Sequence, residues 1–190
     1  MPNHETNNVV ITGTPEQIRQ FVDEALIDYP LTEGEDAAEK PAKILDFARV
    51  VPEPEGIERG GCSGEHAEGV VCWYRWNPEN WGTKWNAYSH SHYELRWLQP
   101  YDDDEPIYGR VDLRFETAWS QPTPVLETIQ SRWGVTVHAV TQDEGGFPDV
   151  FFGDPIGAEV MHEVKVFEFD HWAREVEEPV AEAAAKGAER

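Results

Sequence analysis

Ile107-Tyr108-Gly109-Arg110-Val111-Asp112-Leu113-Arg114-Phe115 is the stretch on which the fold turns. On an extended chain, Val111, Leu113 and Phe115 point one way, and Arg110, Asp112, Arg114 and Glu116 the other. A period of two marks a strand with one covered face and one bare face. Just ahead of it, Asp102-Asp103-Asp104-Glu105-Pro106 reads as a turn, and Tyr93 to Leu98 as a further strand. Behind it, Thr123-Pro124 opens a helix with Val125, Leu126, Ile129 and Trp133 on one face and Gly134 as its stop. Val135 to Thr141 is the next strand.

The N-terminal part carries the same kind of signals. Asn8 to Thr12 is a β-branched run that ends at Gly13. Thr14-Pro15-Glu16-Gln17 then offers a cap, a first-turn proline and a capping box. Ile18, Phe21, Val22, Ala25 and Leu26 follow at helical spacing, and Pro30 ends the helix. Leu31 to Ala42 reads as an acidic loop, and Ile44 to Val51 as apolar and extended, stopped by Pro52-Glu53-Pro54-Glu55. Gly56 to Gly69 carries five glycines and reads as an insertion. Val150-Phe151-Phe152 and Val164 to Phe169 are further strand candidates, and the Ala/Glu-rich chain from Ala173 reads as a tail. Strand, helix, strands, helix, strand is the order of an α+β, ferredoxin-like split βαβ, with an antiparallel sheet and two helices on one face. We expect that domain over residues 1–172, with an acidic, Gly-rich insertion near 53–70 and a charged tail over 173–190.

The totals narrow the function. The chain has 190 residues, 37 acids and 15 bases, for a formal charge of -22. With 39% apolar and 12% aromatic residues it can build a core. The charge disfavours nucleic acid and anionic membrane as partners, since both repel it. No apolar run approaches the roughly 20 residues of a membrane helix. The start, Met1 to Asn7, lacks a basic region followed by an apolar one. Cys62 and Cys72 make no CxxC pattern, so the expectation is a reduced, cytoplasmic protein. The acids sit on the flanks. Residues 1–70 carry 15 acids and 5 bases, residues 71–120 carry 8 and 5, and residues 121–190 carry 14 and 5.

The balanced centre holds an aromatic run from Trp73 to Trp85, with four of the eight tryptophans. A tryptophan buries about 150–250 Å², so Trp73, Trp76, Trp81 and Trp85, with Trp119 further on, can pin a polar loop to the sheet. Gly82 allows a tight turn there. A partner patch and a base-stacking platform are the other readings; the second needs a basic groove, and only Arg75, Lys84 and Arg96 are near. His90 and His92, two apart, would share one face of a strand, as a metal site needs, but no third ligand is evident. No nucleophile elbow or phosphate loop is present. We therefore assign no catalytic residue, no cofactor and no metal.

Four ordered pieces add a resemblance. They are Met1-Pro2-Asn3-His4 with Thr6-Asn7, Leu45-Asp46-Phe47 leading to Val51-Pro52-Glu53-Pro54, Asn80 to Ala87, and Thr117-Ala118-Trp119-Ser120 with Pro122 and Pro124. Together, over roughly residues 1–152, they resemble the YubB-type ferredoxin-like domain family, uncharacterised proteins of phages and plasmids. The resemblance implies a ferredoxin-like sheet and a mobile-element origin, and brings no catalytic residues. With the charge it leads to one expectation: a non-enzymatic acidic protein that inhibits a host nucleic-acid-binding defence complex by DNA mimicry, as an anti-CRISPR protein would. The acids taken for that surface are Glu33, Glu35, Asp36, Glu39, Glu53, Glu55, Glu58, Asp102, Asp103, Asp104, Glu105, Asp143 and Glu144. The partner would be a protein with a basic surface, not nucleic acid or membrane, and a homodimer is open. The alternatives are an accessory domain whose acidity serves solubility or salt adaptation, and an enzyme with a site near His90, His92 and Lys84.

Overall fold

Strand β1 (His4–Gly13) is the centre of a five-stranded sheet. It pairs antiparallel with β5 (Tyr108–Ala118) on one side and β6 (Thr136–Asp143) on the other. Strand β4 (Tyr88–Leu98) lies outside β5 and β7 (Pro148–Gly153) outside β6, both antiparallel, for an order β4-β5-β1-β6-β7. The computed structural model describes residues 3–60, 70–99, 105–145 and 148–153, all within the unit Met1–Pro155. Asp102 to Asp104, most of the Gly-rich insertion, Val164 to Phe169 and the tail over 173–190 lie outside the described residues. Among the described residues no helix is long and apolar enough to cross a membrane.

The register explains the covered face. Val9 stands opposite Leu113 and Ala139, and Ile11 opposite Val111 and Val137, and all six are buried. Helices α1 (Pro15–Ala25) and α4 (Thr123–Trp133) turn Ile18, Phe21, Val22, Ala25 and Val125, Leu126, Ile129, Trp133 into that core. Phe21 and Trp133 meet edge to face with ring centroids 5.5 Å apart. The Thr14–Gln17 capping box opens α1, and Gly134 ends α4. Arg110, Asp112, Arg114 and Glu116 line the other, open face of β5.

Three local expectations need correction. Helix α1 stops at Ala25, short of Pro30, and Leu26–Asp28 forms β2, paired with β3 (Lys43–Leu45). Burying Leu26 against Leu45 across that ladder outweighs one more turn of helix. The run from Ile44 is not extended to its end: Phe47–Val50 is a short helix, α2, capped by Asp46, whose Oδ1 accepts the Ala48 N–H at 3.0 Å. A short apolar run does not by itself separate strand from helix. The Trp run is not all loop either. Trp73–Asn80 is a helix, α3, although Pro78 removes one of its hydrogen bonds. A fourth correction is chemical: Cys72 is disulfide-bonded, not reduced, and Cys62 is the only other cysteine in the sequence.

Candidate functional site

The chain from α3 to β4 is riveted to the rest of the unit by buried polar groups. Trp81, 3% exposed, donates its indole N–H to the Val51 carbonyl at 2.9 Å and packs edge to face on Phe47 and Trp76. Thr83, fully buried, donates to the Ala118 carbonyl at 2.6 Å and accepts the Ala118 N–H at 3.1 Å. Asn77 donates to the Lys84 carbonyl and Asn86 to Asp46. Gly82 takes φ 76°, and a Cβ there would stand 2.6 Å from the Pro124 Cδ. The loop between α3 and β4 is therefore clamped to α2, to the end of β5 and to the start of α4.

That clamp leaves the other aromatics for a different structure. The Lys84 ammonium lies 4.7 Å from the Trp119 ring centroid, 4.9 Å from Trp85, 5.2 Å from Tyr74 and 5.9 Å from Trp73. Each falls within the roughly 6 Å over which a ring face attracts a cation. Trp119 holds φ 81°, left-handed backbone that a bulky residue rarely adopts, at a cost of order 1–3 kcal/mol. Its backbone N–H donates to the Asn3 carbonyl at 2.9 Å, which fixes the turn. Tyr74 and Trp119 form an edge-to-face pair and remain 43% and 41% exposed, so the cage has an open rim.

An acidic groove adjoins this cage. Trp85 packs on Tyr88, and the Tyr88 hydroxyl donates to the Thr117 carbonyl at 3.0 Å. It therefore accepts from His4 Nδ1, 2.7 Å away. His4 in turn stands 3.7 Å from Glu116 and donates its backbone N–H to Glu144 at 3.1 Å. The groove holds about 320 Å³ and is lined by His4, Thr6, Glu116, Gln142, Asp143 and Glu144. Burial, then Glu116, Glu144 and Glu5, push the Tyr88 phenol up to about 12. Glu5, on the covered face beside it, is held above the ordinary carboxylate value by burial, then by Asp143, Asp149 and Glu144. Beneath the groove a closed network ties the strands. Asn7 donates to the Glu5 carbonyl and to Thr117, and accepts from Thr141, which also accepts from Gln121.

The acids singled out from sequence fall in separate places. Glu33, Asp36 and Glu39 are exposed between β2 and β3. Glu35, in the same loop, is bonded to Lys40 at 2.8 Å and by Thr32, which hold its carboxyl down to about 2. Glu53 pairs with Arg59, and Glu55 and Glu58 are exposed nearby. Glu105 belongs to the hairpin where Leu98 faces Tyr108, the end of the sheet where Gly13 lies opposite Gly109. Asp143 and Glu144 belong to the other end, where Glu5 lies opposite Asp143. The structure thus does not bring the described acids into one cluster.

His90 and His92 do not share a face. Ser89 has φ 48° and the β4–β5 register slips between Tyr88 and His92, so the alternation breaks. His90 packs on Phe115 and bonds the Leu45 carbonyl, and burial pulls its pKa down. His92 is exposed beside Glu94. Lys84 sits apart from both, in its ring cage. Among the described residues no three His, Cys, Asp or Glu side chains are grouped to hold a metal.

Sequence reasoning missed the cage and the groove. The cage had a faint signal in one lysine flanked by Trp81 and Trp85 and preceded by Trp73-Tyr74. The groove had none, because His4, Glu116 and Glu144 come from three distant segments. A scan against protein-family models, a search of curated proteins and a search of solved structures each returned no match.

Proposed function

We propose that the protein is a non-enzymatic binding domain of ferredoxin-like topology and YubB type, which sets an acidic surface against a basic, nucleic-acid-binding surface of another protein. In its sharpest form the partner is a host defence complex such as a CRISPR effector, and the carrier a phage or plasmid. Support for the topology is the order β4-β5-β1-β6 with α1 and α4 as the two crossover helices on one face.

The observation that carries the binding reading is how the bases are spent. Lys40, Lys43, Arg59, Arg96, Arg110 and Arg132 are engaged by Glu35, Asp28, Glu53, Glu94, Asp112 and Glu24. Lys84 is enclosed by rings and Arg19 lies over Trp97. With 37 acids against 15 bases in the sequence, internal pairing cannot neutralise the carboxylates even if every cation were engaged. The surplus faces solvent at Glu33, Asp36, Glu39, Glu55, Glu105 and Glu144. Such a surface steers a cationic partner and is screened by salt. The dispersal of these acids over several loops favours a second reading, an accessory domain whose acidity serves solubility.

Association with a purified CRISPR effector, measured from 50 to 500 mM salt, separates the two. The binding reading expects affinity that falls with salt and is lost when Glu33, Asp36, Glu39 and Glu55 are changed to Lys. Binding that ignores both, or no binding, leaves the accessory reading.

A further inference from the structure

The end of the sheet that holds the cage also holds the groove, and both suit a cation. Four ring faces surround one ammonium, and the ammonium present is the chain's own. Lys84 fixes its loop through backbone groups: its N–H donates to the Ala118 carbonyl and its carbonyl accepts from Asn77. Those bonds do not need the side chain. The rim rings Tyr74 and Trp119 are exposed, and Trp119 is held in strained backbone that brings its ring nearest the ammonium. The contact chain from Trp85 through Tyr88 to His4 leads directly to Glu116 and Glu144.

We propose that Trp73, Tyr74, Trp85 and Trp119 form a recognition cage for a lysine side chain of a partner protein, and that Lys84 is a resident occupant which the incoming lysine displaces. Aromatic faces recognise alkylammonium groups through the ring quadrupole, an attraction that strengthens when water is excluded. The carboxylates of the adjoining groove receive a second cation of the same segment. The resident lysine keeps the cage from collapsing and sets a threshold, since an incoming lysine must outcompete a tethered one. This site rests on the reading of a basic partner, but its test requires no partner, so the two can fail separately.

The test uses the full-length protein, its Lys84→Ala variant and two probes: a short lysine-rich peptide and tetramethylammonium. Binding is followed by calorimetry and by ring-current shifts of the probe's methylene or methyl protons. The expected result is that Lys84→Ala binds the peptide at least tenfold more tightly than the parent, and that adding Trp119→Ala abolishes the gain. A folded Lys84→Ala protein that binds neither probe overturns the cage. Binding of tetramethylammonium without the peptide assigns it to a small free cation and overturns the partner's lysine. The unaltered protein supplies a check independent of the variant's folding. Its Lys84 ε-methylene protons begin shifted upfield by the rings and move towards free-lysine values as peptide is added; no movement at saturating peptide overturns displacement.

Discussion

Gly82→Ala is the most discriminating perturbation of the clamp between α3 and β4. Gly82 has φ 76°, and an added Cβ would lie 2.6 Å from the Pro124 Cδ and 3.1 Å from the Gln121 carbonyl oxygen. Left-handed backbone costs an L residue roughly 1–2 kcal/mol. Forcing a methyl into a filled site costs typically about 1–3 kcal/mol, and the contacts here are a proline ring and backbone at the start of α4, which cannot swing away. Lower entropy of the unfolded chain returns about 0.4–1 kcal/mol. The net loss is about 2–4 kcal/mol. At roughly 2–4 °C per kcal/mol for a chain of this size, the melting temperature should fall by about 4–16 °C. Gly56→Ala is the control, because Gly56 has φ 75° and no atom within 4 Å of the added Cβ. It carries the backbone cost alone and should lose no more than about 6 °C, and less than Gly82→Ala. Thermal unfolding followed by tryptophan emission measures both. Equal losses at the two positions would show that Pro124 and Gln121 do not press on Gly82 and would refute the clamp.

Two further perturbations test the end of the sheet. Asn7→Ala removes three bonds from a buried network and strands the Thr141 hydroxyl proton; it should cost about 1–3 kcal/mol in a urea titration, the usual penalty for one unsatisfied buried group, and no measurable loss would show the network to be dispensable. Glu5→Gln should stabilise the protein at pH 7. The native state holds the Glu5 proton more tightly than the unfolded chain, so this carboxyl lowers stability as pH rises from the ordinary glutamate value through its raised native value. The advantage of the glutamine should therefore vanish as pH falls below the ordinary glutamate range, and a gap that stays constant with pH would contradict the burial of Glu5 and its crowding by Asp143, Asp149 and Glu144.

Legibility in the sequence followed the range of the interaction. The strand over Ile107–Phe115, the Thr14 capping box and the Val125–Trp133 stripe were readable because each is decided by neighbours within a turn or a pleat. The β2–β3 pair was not, because Leu26 finds Leu45 only after the chain folds back. The two histidines misled for a local reason that spacing hides: a bulge at Ser89 undoes the period of two. The tryptophans divide in a way that composition cannot reveal. Trp81 is a core residue, whereas Trp73, Trp85 and Trp119 surround a charge, and what separates them is whether an ammonium or other buried rings lie against the indole. The acids taken as one surface were legible only as a surplus. Their positions depend on which end of the sheet each loop reaches, and strand direction puts Glu105 and Glu144 at opposite ends. A contiguous imitation of duplex charge, one per roughly 1.7 Å of axis, is therefore not available from these two loops together. Carboxylates that act with the ring cage must come from the His4 end. Recognition of a cation by aromatic faces backed by Glu116 and Glu144 asks for one inserted side chain rather than a long charged face, and it is the form of acidic binding that this sheet can support at a single end.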